Sequence, residues 1–266
     1  MALSNPAFSR NPAFQSGKGS VATSTTVSAD ALQQQFDAPT ATARDTDRMT
    51  VEDTIAKTAI SFVVLIAAGA VGWAIPAIAI PSAIIGFVLA LVNIFKKRPS
   101  APLVLAYAAA QGLFLGGISA FFEADYSGIV VQAVLATVAV FAVTLVLFAF
   151  GKVRASAKAT KVFFIALIGY VVFSILNVVL SATGAISNPF GLSGSVTILG
   201  VPLGLVLGVL VVLLAAYSLV LDFDSIKQGV ANRAPRAYAW TGAFGIMVTV
   251  VWLYLELLRM FAIARN

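Results

Sequence analysis

The chain has 266 residues, 60% of them hydrophobic and 11% charged, with a mean hydropathy of +0.97. Soluble domains carry about 25% charged residues, so a water-soluble globule is excluded; the long apolar runs, each near the roughly 20 residues a bilayer span needs, make this an integral membrane protein built as one helical bundle. The absence of Cys and His excludes disulfides, Cys/His zinc sites, c-type haem and serine–histidine catalysis, and the net charge of +6 sits in short loops, where it sets topology and does not call for nucleic acid.

Residues 1–49 are polar and rich in Ser, Thr, Ala and Gln. No 7- to 15-residue apolar core follows a basic start, so the segment reads as a disordered cytoplasmic tail and not as a signal peptide. It contains a short repeat, Asn5-Pro6-Ala7-Phe8 and Asn11-Pro12-Ala13-Phe14. Asn-Pro favours turns; the two phenylalanines could dock on a partner, or the duplication is incidental.

The membrane domain is expected over 50–266. Thr50 with Asp53 three residues on resembles a capping box. Seven apolar segments follow, at 54–75, 79–95, 102–122, 128–150, 161–183, 200–221 and 238–262. Pro76 and Pro81 crowd the start of the second. The loops alternate in charge. Lys96, Lys97, Arg98, Lys152, Arg154, Lys158, Lys161, Lys227, Arg233 and Arg236 occupy the second, fourth and sixth loops, and the other three loops hold no base. This asymmetry predicts a cytoplasmic N-terminus, and seven spans then put the C-terminus outside the cell membrane. Gly200, Gly204 and Gly208 in the sixth segment, and Gly112 and Gly116 in the third, mark faces where helix backbones approach closely.

Several chemistries fail on inspection. "GLSG" at 191–194 matches a rhomboid serine motif, but it lies in a loop and the chain has no histidine. No GxGD aspartyl-protease motif occurs, the seventh segment lacks a retinal lysine, and "GKGS" at 17–20 lacks the upstream glycine of a P-loop. The protein reads as a non-enzyme with no cofactor.

Three strings carry a resemblance: "YAAAQGLFLGGISAFFE" at 107–123, "LDFDSI" at 221–226 before a basic loop, and "LYLELLRMF" at 253–261. In order and spacing they resemble the transmembrane Bax inhibitor family, which includes the bacterial YccA-like proteins; the long polar tail looks like an actinobacterial branch. The resemblance covers roughly residues 50–266. It implies an all-α fold with six helices around a central seventh. It also implies a pH-sensitive calcium leak gated by an aspartate pair between helices six and seven, and, in YccA-like relatives, interaction with a membrane-bound AAA protease.

Carried onto this chain, the sixth-helix aspartate is Asp224, which follows Phe223. Asp222 is an extra neighbour, about 200° around the helix from Asp224, and reads as plain interface. The family's third-helix glutamate falls on Gln111, near the membrane midplane, where it cannot ionise. Gln111 and Asn177 read as interhelical hydrogen bonders or as lining of a polar path. The helix-seven partner falls on Glu256 by local string. From Trp240 to Arg259 the helix spans roughly 28 Å, which puts Glu256 near the outer face and out of reach of Asp224. Counting back from the C-terminus favours the uncharged Thr249.

Asp224 therefore reads either as a helix-end acid satisfied by Lys227 and water, or as a proton-sensitive latch. Glu256 reads as a surface pair with Arg259, or as an outer cation-collecting group with Glu123 and Asp125. Calcium wants six to eight oxygens, and no such resident metal site can be assembled from the sequence. Two functions follow: a pH-dependent cation path, for calcium, or a membrane-embedded regulator of a quality-control protease. In either case the lipid bilayer is the first partner.

Overall fold

Each of the seven apolar segments forms one long helix in the computed structural model, which describes residues 47–186, 188 and 190–266. They are α1 (Val51–Ala74), α2 (Ala79–Phe95), α3 (Ala101–Asp125), α4 (Ile129–Ala149), α5 (Ala157–Ala182), α6 (Leu203–Ala231) and α7 (Ala239–Arg265). A 3₁₀ turn at Pro76–Ile78 leads into α2, and a single helical turn at Leu192–Ser195 precedes a two-stranded hairpin, β1 (Thr197–Ile198) and β2 (Val201–Pro202). The expected tail and its Asn-Pro-Ala-Phe repeat lie outside the described residues, apart from positions 47–49.

Local chemistry explains where the helix ends depart from expectation. Thr50 caps α1 as the sequence suggests, its Oγ1 accepting from the Asp53 amide at 3.1 Å. Ser156 caps α5 in the same way through the Ala159 amide, at 3.2 Å. The fifth helix therefore starts at Ala157, and Lys158 and Lys161 belong to it, not to the loop. Gly200 is not on α6. Leu199 and Gly200 have φ of 52° and 80° and close the tight β1–β2 turn.

The largest correction concerns the sixth helix. It does not end at Leu221 but runs on through both aspartates to Ala231. It stops in a Schellman motif: the Ala234 amide donates to the Gly229 carbonyl and the Arg233 amide to that of Val230, both at 3.0 Å. Arg233 occupies the left-handed position of that motif, with φ 55°.

The core forms around α7. Within its apolar stretch 61% of residues are buried, against 6% in α5. Helices α1, α3, α4 and α6 pack directly on α7, and α2 packs on α3. Glycines set the closest approaches. A Cβ at Gly112 or Gly116 would run into the carbonyl oxygens of Leu65 and Gly69, and one at Gly72 into that of Leu113. Gly204 and Gly208 make room for Ile263 and Met260 of α7. The outward surface is the apolar one, with Ile80, Phe87 and Phe95 of α2 and Ile165, Val172 and Ile175 of α5 all exposed. Such a surface is stable only against lipid, and the helices satisfy their own backbone groups there. The protein is a seven-helix multi-pass membrane protein.

Candidate functional site

The loops rich in Lys and Arg, together with the start of α1, define one end of the bundle, here the basic end. Asp222 lies about 14 Å along α6 from its Ala231 terminus at that end, at 1.5 Å per residue. Phe223 fixes the rotation of the helix. Its ring is buried against Phe141 and Phe148 of α4, with centroids 5.9 and 5.6 Å away. That contact turns Asp222 toward α7.

There Thr249 Oγ1 donates to Asp222 Oδ2 at 2.7 Å. Gly245, one turn earlier on α7, leaves space for the other oxygen, since a Cβ at that position would sit 3.1 Å from Oδ1. Ser218 Oγ, one turn back on α6, lies 3.3 Å from Thr249 Oγ1 and extends the polar chain. None of the three ion pairs among the described residues includes Asp222. The site is thus a carboxylate between two packed helices, held by a hydroxyl and not by a cation.

Asp224 stands elsewhere. It is half-exposed, and its carboxylate accepts from Gln228 Nε2 at 2.6 Å. The residue expected to face helix seven is therefore turned away from it, and its neighbour, expected to be plain interface, occupies the seam. Thr249, reached by counting back from the C-terminus, is indeed the α7 residue opposite the acid.

Glu256 occupies a second, separate polar cluster toward the other end. It is not a surface group: it is 8% exposed. Its carboxylate accepts from Tyr170 Oη of α5 on one oxygen and from Arg259 Nη2 on the other, at 2.7 Å. Arg259 Nη2 also donates to Tyr170 Oη at 2.9 Å. The three groups line an open cleft of about 550 Å³ with Phe122, Ser174 and Phe190. Glu123 does not join them. Its carboxylate caps α4, accepting from the Gly128 and Val130 amides. Among the described residues no three acidic side chains converge on a point that could hold a metal ion.

Gln111 packs over Gly86, where a Cβ would meet its Nε2 at 2.7 Å, so it fills the α2–α3 contact. Asn177 ties α5 to the following loop: its Nδ2 donates to the Phe190 carbonyl at 3.2 Å, and its Oδ1 accepts from the Leu192 amide at 2.6 Å. Tyr170 and Ser218 went unnoticed in the sequence. So did the buried hydroxyl face of α1, made by Thr54, Thr58 and Ser61; their spacing of four and three residues in an apolar helix was the available signal.

The seam joins two packed helices through one carboxylate and one threonine, and not through the pair of acids that the sequence resemblance implies. A family model described as Bax inhibitor 1 like matches residues 5–266. The chain belongs to the Bax inhibitor 1 like family. Compared with the curated proteins, it has no match. In this Bax inhibitor 1 like protein the seam between helices six and seven carries one acid, Asp222, and one hydroxyl, Thr249. Glu256, the only acid on α7, is engaged by Tyr170 and Arg259.

Proposed function

We propose that the protein is a pH-sensitive cation leak pathway of the cell membrane, with calcium as its first candidate ion, and not an enzyme. The observation that carries this reading is Asp222, a carboxylate in the α6–α7 seam whose side-chain donor is Thr249. The ionised carboxylate takes a charge-assisted hydrogen bond, roughly twice as strong as a neutral one. Protonation removes the charge and weakens the link between the two helices. The groups facing Asp222 from α7 are Thr249 and Gly245, neither of which titrates. The leak therefore rises as pH falls, and Asp222 sets the dependence. A single acid with a hydroxyl does the work that the family resemblance assigns to an acid pair. Ten bases in the even loops or on the helix turns beside them, against none in the other loops, support a cytoplasmic N-terminus and an external C-terminus.

The test is calcium flux into proteoliposomes from about pH 5 to about pH 8, comparing wild type, Asp222→Asn and Asp224→Asn. A leak that Asp222→Asn makes insensitive to pH, and that Asp224→Asn leaves unchanged, is the expected result. A leak that falls with acidification overturns the latch. A second reading is a regulator of a membrane quality-control protease. It draws on α5, in which Phe163 alone is buried, so that the helix offers a long apolar face for another membrane helix. Absence of flux at every pH would favour it.

A further inference from the structure

At the basic end a short piece of chain lies across the loop between α6 and α7. Residues Asp47–Met49 lie antiparallel to the α6–α7 loop. The Met49 amide donates to the Ala234 carbonyl at 2.8 Å and the Arg236 amide to the Asp47 carbonyl at 2.9 Å, which pairs Arg48 with Pro235. The Met49 side chain is 5% exposed and belongs to the same apolar cluster as Phe223, Ile226 and Ala239. Its sulfur lies against Gly229.

An ionic clasp holds this strap in place. Arg236 Nε and Nη2 donate to Asp53 Oδ1 at 3.1 and 3.0 Å. Lys57 Nζ donates to Asp53 Oδ2 at 2.6 Å and to the Arg236 carbonyl at 2.9 Å. The same ammonium lies 5.5 Å from the Trp240 ring centre. Asp53 thus joins the first turn of α1 to the loop that leads into α7. The layers stack in order along the seam. Outward from Asp222, Ile226, Gly242 and Thr54 meet about 6 Å along α6. Met49 on Gly229 comes next, about 10 Å along, and Asp53, the residue before Thr54, pairs with the half-exposed Arg236.

We propose that the Asp47–Met49 strap, clasped by Asp53 and Arg236, is a gate on the basic-end approach to Asp222. It opens by lifting off the α6–α7 loop. The inference rests on the leak reading for its ion, but its geometry is tested separately.

The native chain has no cysteine, so introduced thiols report alone. Arg48 and Pro235 face each other at a pair where the Cα atoms of antiparallel strands lie about 4.5 Å apart, within disulfide range. Oxidised Arg48→Cys/Pro235→Cys protein in proteoliposomes is expected to lose calcium flux and regain it on reduction. Flux that ignores the crosslink overturns the gate. A second measurement does not depend on ion passage. A lone Ser218→Cys thiol, beyond the strap and beside Thr249, is labelled with a charged, water-soluble methanethiosulfonate. Adding Asp53→Asn and Arg236→Gln is expected to speed labelling about fivefold, the range set by one exposed ion pair. Unchanged labelling overturns the gate. Faster labelling in a protein that passes no ion would leave the strap standing and sink the leak reading.

Discussion

The assignment of Asp222, and not Asp224, to the α6–α7 seam can be measured as a coupling energy. Thr249→Val removes the hydroxyl at nearly constant volume, and Asp222→Ala removes its acceptor. Hydrogen bonds to charged groups contribute about 1.5–3 kcal/mol in soluble proteins. Between membrane helices the average is nearer 0.6 kcal/mol, with a maximum of about 1.7 kcal/mol. The 2.7 Å contact between Thr249 Oγ1 and Asp222 Oδ2 is short and joins the central helix to a main neighbour. We therefore expect a coupling of about 1.5 kcal/mol, near the top of the membrane range. The assay is a double-mutant cycle on reversible unfolding in mixed micelles, read as the fraction unfolded against denaturing detergent. The control cycle pairs Thr249→Val with Asp224→Ala, whose carboxylate is bonded to Gln228; it should be additive within about 0.5 kcal/mol. Coupling to Asp224 and none to Asp222 would refute the helix rotation that Phe223 imposes.

Three further expectations follow from the packing. Gly116→Ala drives a Cβ into the Gly69 carbonyl and should destabilise by about 1–3 kcal/mol, whereas Gly169→Ala on α5, where nothing lies within 4 Å, should stabilise by about 0.5–1 kcal/mol in the same detergent titration. Arg233→Gly relieves a side chain at φ 55° in the Schellman position and should stabilise by about 1 kcal/mol; a loss of stability would show that the Arg233 side chain does more than tolerate its backbone. Tyr170→Phe removes the α5 contact to Glu256 and Arg259, and amide exchange within Ala157–Ala182 should rise about fivefold while α7 stays unchanged; an equal rise in both helices would mean that the cluster supports the whole bundle.

The spans were legible because each depends on length and hydropathy alone. Even α2 was found despite its prolines. Pro76 opens the 3₁₀ turn and Pro81 lies in the first turn of α2, where a missing amide hydrogen is harmless. The site was less legible for a specific reason. Two acids two residues apart face different ways, and only a tertiary contact, Phe223 between Phe141 and Phe148, decides which faces inward. Matching the motif by the aromatic before the acid selected Asp224, whereas the acid before the aromatic holds the seam. Depth along α7 correctly separated Glu256 from the helix-six acids, because rise per residue is a property of the helix. Its burial could not be read, because Tyr170 is distant in sequence and reaches it only through the packing of α5.

The distribution of packing indicates which parts of the bundle can move. The α1–α3 contact has carbonyl oxygens where Cβ atoms would be, so sliding there is blocked by backbone. The α6–α7 contact near Gly204 and Gly208 is likewise filled, by Ile263 and Met260. Toward the basic end the same two helices are joined differently, through Asp222, Thr249 and Ser218, with the flexible Met49 side chain beneath them. Polar links of this kind are discrete and weaken when a proton neutralises the acid, whereas backbone packed on backbone, as between α1 and α3, does not respond to a proton. The acid therefore lies in the part of the seam that polar links join. A small separation of α6 from α7 there would admit water to Asp222 while the packing at the other end stays closed.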